Sequence, residues 1–248
     1  MNLQSIAARR FAAVALTMVS TAGLAVQASP AMAASHRPCA VEKHFNLAGV
    51  EKVGTATATI GADGVKLTTS RTVDTDKVSW KSKFLLPVPA DSVNEMNYET
   101  VKLDSYVDDT NQTVNNAALP SYHIYVRTRA GAEATLIYEP YYNLPANPQR
   151  NVRTEWDVTT GKLWTSATTL TGVTGIGGGS YATNKTLAQI IATNPGLAVT
   201  GIGWGLGTYN RGVVAIMDDQ RFATKLTCTD HQWSTGFSTG IFWPGWLF

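Results

Sequence analysis

The chain has 248 residues, 44% of them apolar and only 15% charged, with a mean hydropathy near zero. That composition can fill a core and excludes an intrinsically disordered chain. The formal charge of +2 is carried by Arg9 and Arg10, so the remainder is balanced and has no electrostatic reason to bind nucleic acid or anionic lipid as a whole.

Residues 1–33 read as a secretory signal. Arg9 and Arg10 supply the positive end, and residues 11–26 are an apolar stretch of Ala, Val, Leu and Met. Pro30 precedes Ala31, Met32 and Ala33, a small-residue cleavage pattern. Thr17, Ser20, Thr21 and Gly23 interrupt the apolar run, which favours cleavage over a membrane anchor. No later segment is apolar for long enough to span a bilayer. The expected product is a secreted or surface-associated protein of about 215 residues beginning at residue 34.

Its two cysteines, Cys39 and Cys228, stand near the two ends. In an oxidising compartment they are expected to pair, which would make the first and last strands neighbours. Metal binding by this pair is not supported, because no Cys-x-x-Cys or clustered His accompanies it.

Between the cysteines the dominant period is two. Strands are expected at 55–60 and 64–69, then at 78–84, where Val78, Trp80 and Phe84 share one face and Ser79, Lys81 and Lys83 the other. The segment 94–107 shifts phase between Met96/Tyr98 and Val101/Leu103, which predicts a bulge. Tyr122, Ile124 and Val126 alternate with His123, Tyr125 and Arg127; the latter three are expected to face solvent. Further strands are expected at 133–139, 152–158, 197–204 and 212–224. One helix breaks the pattern at 186–193, with Leu187, Ile190 and Ile191 at helical spacing, Asn184 or Thr183 as a cap, and Asn194-Pro195-Gly196 as a stop. Many short strands and one small helix predict an all-β, antiparallel sandwich of the jelly-roll type over residues 34–230, followed by an aromatic-rich tail over 231–248.

The run from Leu136 to Tyr142, then Trp156-Asp157, Leu163-Trp164, the segment 186–195, Gly201-Ile202-Gly203 with Gly207, and Asp218-Asp219 together resemble a group of bacterial secreted or surface jelly-roll proteins largely without assigned function. The closing segment 216–222 is similar to the last strand of carbohydrate-binding jelly rolls, which often hold a structural calcium through an acidic residue there. The resemblance therefore makes Asp218 and Asp219 candidate calcium ligands, to be completed by oxygens from a distant loop.

Signals for catalysis are sparse. There is no G-x-S-x-G elbow, no zinc-type spacing, and no Lys-Ser/Thr after the glycines of residues 175–179. Of His36, His44, His123 and His231, only His123 lies away from the ends, so any Ser-His-Asp assembly would have to use it. Glu95 and Glu99 share a face only if the bulge lies beyond Glu99. Glu155 and Asp157 share one strand face about 7 Å apart, a spacing seen in inverting glycosidases, but Arg153 shares that face and offers a salt-bridged surface instead.

A binding surface uses more of the residues. Tyr125, Arg127, Glu139, Tyr141, Tyr142, Arg153 and Glu155 combine aromatic faces with charged hydrogen-bonding groups, the combination that sugar recognition needs. The favoured reading is a non-catalytic binding protein for a glycan or cell-envelope polymer. The alternatives are a glycan-active hydrolase or lyase using Glu139, Glu155 or Asp157, and an envelope component that assembles through its tail. That tail has no Lys, Arg, Asp or Glu from residue 231 on, yet carries Trp233, Phe237, Phe242, Trp243, Trp246 and Phe248. It is expected either to pack on its own sandwich or to dock on a partner, a lipid surface or a second copy.

Overall fold

The structure is a computed structural model, and it describes residues 39–104, 118–143, 148–173, 184–207 and 210–233. The expected leader, the glycines of residues 175–179 and the tail beyond Trp233 lie outside the described residues. In chain order the strands are β1 (Ala40–Lys43), β2 (Val50–Val53), β3 (Thr57–Gly61), β4 (Gly64–Thr68), β5 (Lys77–Pro89), β6 (Val93–Asp104), β7 (Ser121–Arg127) and β8 (Glu133–Tyr138). They continue with β9 (Arg153–Asp157), β10 (Lys162–Trp164) and β11 (Lys185–Thr186), then the helix α1 (Leu187–Thr193), β12 (Ala198–Leu206), β13 (Val214–Thr224) and β14 (Cys228–Gln232).

Two seven-stranded sheets result. The first runs β1-β14-β13-β4-β3, with β6 on the other edge of β13 and β9 outside β6; the second runs β11-β10-β8-β7-β12-β5-β2. The chain changes sheet between β1 and β2, β2 and β3, β4 and β5, β5 and β6, β6 and β7, β8 and β9, β9 and β10, and β12 and β13. That alternation makes the all-β sandwich of jelly-roll type. The inward halves of both sheets meet in one core: Val65, Leu67, Met96, Tyr98 and Phe222 from the first, Trp80, Tyr122, Ile124, Leu136, Ile202 and Trp204 from the second. Three hydrogen bonds stitch across or beside it, from Gln220 Nε2 to the Gly203 carbonyl, Tyr122 Oη to the Arg221 carbonyl and Tyr98 Oη to the Pro120 carbonyl.

Cys39 and Cys228 form a disulfide, as their placement predicts. With a sequence separation of 189 between the partners, the chain-entropy model gives it about 5 kcal/mol. The first and last strands are neighbours, and they pair in parallel, so the sandwich is antiparallel in all but this one ladder. Such a disulfide fits an oxidising compartment, and no helix among the described residues is long and apolar enough to cross a membrane.

The helix is capped by Thr186 rather than by Asn184 or Thr183. Thr186 Oγ1 accepts from Gln189 N while Gln189 Oε1 accepts from Thr186 N, a reciprocal arrangement open only to a residue with Gln or Glu three positions on. Asn194 closes the other end, donating to the Ile190 carbonyl.

The expected irregularity of β6 is found in its ladder with β13, on both partners. Glu99 faces Asp218 and Asn97 faces Arg221, so one extra residue stands on β13, with Asp219 in the left-handed region at φ 48°. β6 itself gains extra residues against β13 at Asn94 and at Leu103. The Leu103 bulge lies beyond Glu99, so Glu95, Asn97 and Glu99 share one outward face. β14 continues through His231 and Gln232, past the expected start of the tail at residue 231, and Trp233 is buried in the core.

Candidate functional site

The outer face of the second sheet holds the site. β12 turns Gly201, Gly203 and Gly205 outward while Val199, Ile202, Trp204 and Leu206 fill the core. Cβ atoms on Gly201 and Gly203 would lie 2.2 Å from the Ser82 and Trp80 carbonyl oxygens, so both positions require glycine. With no side chains at these three outward positions, groups from the strands on either side reach over them. Lys81 of β5 crosses to place Nζ 3.7 Å from the ring centre of Tyr125 on β7, a cation–π contact. His123 lies over Gly205, whose Cβ would be 2.6 Å from the imidazole Cε1.

Two adjoining depressions, of about 300 and 410 Å³, meet at Lys81, Tyr125, Thr135 and Ser166. One extends to Glu133 and Thr200, the other to Glu51, Lys77, Ser79 and His123. Burial and the nearby Glu51 push the Tyr125 phenol up to about 12, so it stays a neutral donor at ordinary pH. Burial, then Lys83, pulls Lys81 below its usual value.

His123 departs from the expectation of an open, solvent-facing residue, because the glycine beneath it lets the ring settle onto the sheet. Burial, with Lys77 adding to it, brings it down to about 4. Ser121 Oγ lies 2.9 Å from His123 Nε2 and 2.9 Å from the Gly205 carbonyl. The carbonyl can only accept, so the hydroxyl donates to it and accepts a hydrogen bond from His123 Nε2–H. A serine nucleophile needs the opposite polarity, with the imidazole accepting. Ser121 and His123 form a structural pair.

The residues expected to form one binding surface fall in several places. Tyr125 lines both depressions, and Arg127 faces Glu133 across the β7–β8 ladder. Tyr141 and Tyr142 sit in a short 3-10 turn past the end of β8, packed edge to face with ring centres 5.0 Å apart, and line neither depression. Glu139 is enclosed, and burial pushes its carboxyl up to about 7. Arg153 and Glu155 are on β9, in the other sheet. There Arg153 pairs with Glu99 at 2.7 Å and Glu155 accepts from Asn97 at 2.9 Å. Asp157 accepts from Thr159 N, Thr160 N and Thr160 Oγ1, which makes it a turn residue.

Asp218 accepts from Trp233 N, and both it and Asp219 are held above the usual carboxylate range, Asp219 at about 7, by burial and by acidic neighbours. Among the described residues, metal-ligating atoms converge elsewhere, at Glu42, His44 and His231. His44 and His231 are 187 residues apart in sequence, and no local spacing announces them. The sequence placed His44 and His231 each within a few residues of Cys39 and Cys228, and that proximity is the signal that could have found them.

Compared with protein-family models, and with curated proteins, the chain matches none.

Proposed function

We propose that this is a secreted, non-catalytic binding protein for a glycan or cell-envelope polymer, with the ligand lying across Tyr125 on the outer face of the second sheet. The observation that supports this reading is the junction of two depressions at one aromatic residue. Around it stand Ser79, Thr135, Ser166 and Thr200 as hydroxyl partners and Glu51, Glu133 and Lys81 as charged ones. A sugar ring presents C–H patches to an aromatic face and hydroxyls to such a rim, and charge-assisted hydrogen bonds fix its orientation. A glycine-lined strand at the centre leaves room for a flat polymer to approach the backbone. Of the carboxylates of the enzymatic alternative, Glu155 accepts from Asn97, Asp157 holds a turn, and Glu139 lines neither depression.

The experiment is retention of the disulfide-bonded protein on a panel of insoluble envelope polysaccharides. Tyr125→Ala is expected to lower retention at least tenfold, while Tyr141→Ala with Tyr142→Ala leaves it unchanged. Retention indifferent to Tyr125→Ala, or absent on every polymer, would overturn the reading.

A further inference from the structure

β1 and β14, at the edge of the first sheet, carry a second constellation. Their parallel register sets Glu42 opposite His231, and the Cys39–Cys228 disulfide closes the ladder just before it. His44 follows at the end of β1, its backbone N–H donating to the Gln232 carbonyl at 2.7 Å, which turns its ring toward His231. His44 Nε2 lies 3.0 Å from His231 Nδ1, and His231 Nδ1 lies 2.8 Å from Glu42 Oε2. One ligand atom from each of the three residues falls within 4.8 Å of the other two.

A hydrogen-bonded cluster explains this poorly. One imidazole nitrogen carries at most one proton, so His231 Nδ1 cannot both donate to Glu42 and accept from His44. A single shared hydrogen is the most that can serve both contacts. A cation among the three atoms would meet all their lone pairs at once. The rings are also preset: His44 stacks on Trp233 at 4.9 Å and meets Trp80 edge-on at 5.1 Å, and Trp80 meets His231 edge-on at 5.2 Å. Indole walls fix the imidazoles and exclude water from their side, while Glu42 stays exposed.

We propose that Glu42, His44 and His231 bind one divalent transition-metal ion of the zinc or copper type. Two imidazoles and one carboxylate suit these borderline ions and do not suit calcium or magnesium, which prefer all-oxygen sites. Zinc–nitrogen bonds of about 2.0–2.1 Å place tetrahedral ligands about 3.3 Å apart. The two separations to His231 Nδ1, 3.0 and 2.8 Å, fall a few tenths of an ångström short of this, and the third lies within 4.8 Å. A fourth position opens to water on the Glu42 side. The ion would brace the two chain ends at the place the disulfide already joins them.

The test uses the full, disulfide-bonded chain stripped with chelator and titrated with Zn²⁺, Cu²⁺ and, in parallel, Ca²⁺. One equivalent of Zn²⁺ or Cu²⁺ is expected to bind and to raise Tm, with no response to Ca²⁺. The Cu²⁺ spin resonance spectrum should carry couplings from two nitrogens. His44→Ala and Glu42→Gln alter half-buried and exposed side chains, so the variants fold; each is expected to weaken binding at least tenfold, and His36→Ala to leave it unchanged. No binding tighter than about 100 µM would overturn the proposal, as would binding unaffected by His44→Ala. Glycan retention is read separately, so either result stands whatever the outcome at Tyr125.

Discussion

Gln220, wholly buried on β13, donates its side-chain amide to the Gly203 carbonyl of the facing sheet at 2.6 Å. This bond joins the two sheets beneath the strand that carries the outward glycines, while Gln220 Oε1 has no partner among the described residues. Gln220→Ala removes the tie and leaves a cavity, with an expected loss of about 2–4 kcal/mol. Gln220→Met keeps the volume and removes the orphaned acceptor, so its loss is expected to be smaller. Urea denaturation orders the two variants; a loss near zero for Gln220→Met would mean that the hydrogen bond contributes nothing beyond packing, and equal losses that packing contributes nothing beyond the bond.

Gly205→Ala drives a methyl group into the His123 ring. The ring is a side chain and can swing away, so the expected cost is about 1–3 kcal/mol rather than loss of the fold. Gly203→Ala meets the Trp80 carbonyl, part of the β5 backbone, and is expected to cost more. Thermal melts of the two variants measure the difference, and the first should also impair retention on the ligand polymer because it displaces the ring beside Tyr125.

Asp76 accepts hydrogen bonds from Thr55 N, Thr55 Oγ1 and Ser70 N at 3.0, 2.8 and 2.8 Å. Burial works to raise its carboxyl, and these bonds outweigh it, so its pKa lies below the ordinary value. A depressed carboxylate stabilises the fold above its unfolded pKa and loses that contribution as pH falls through the folded value. Asp76→Asn turns an amide N–H₂ toward donors and is expected to cost about 2–4 kcal/mol at pH 7. The gap between wild type and variant should narrow on acidification in chemical denaturation.

Glu139 and His123 bias stability in opposite senses. Glu139, held at about 7 against a usual 4.5, binds its proton more tightly folded than unfolded, so it lowers stability as pH rises from about 4.5 to 7, by about 3 kcal/mol. His123, held at about 4 against 6.5, is protonated more readily when unfolded, so it raises stability across about 4 to 6.5. Relative to wild type, Glu139→Gln is expected to gain stability progressively above pH 4.5. His123→Asn should show its largest relative loss above pH 6.5. Stability curves taken between pH 4 and 8 test both, and a pH-independent difference for either variant would remove its assigned titration.

Much of the fold was legible in the chain because its cause is local. Val78, Trp80 and Phe84, or Tyr122, Ile124 and Val126, alternate because one face of each strand is buried, and the strands at β3 to β9, β12 and β13 follow from that alone. Leu187, Ile190 and Ile191 marked the helix in the same way. The short strands β1, β2, β10, β11 and β14 lack an alternating apolar pattern and were not visible. Among the site residues, Tyr125 was legible as an outward aromatic. Its association with Arg153 and Glu155 was not sound, because period two says which way a side chain points and nothing about which sheet receives the strand.

The sequence by itself determined the class of fold, the disulfide and the outward set on β7, since alternation and two cysteines are properties of neighbouring residues and of composition. Tertiary structure alone decided that Lys81 crosses the glycine strand β12 to reach Tyr125, that His123 sinks onto Gly205, and that Glu42, His44 and His231 converge. Each of these depends on strand pairing between distant segments, and that pairing is selected by the packing of the whole core rather than by any window of the chain.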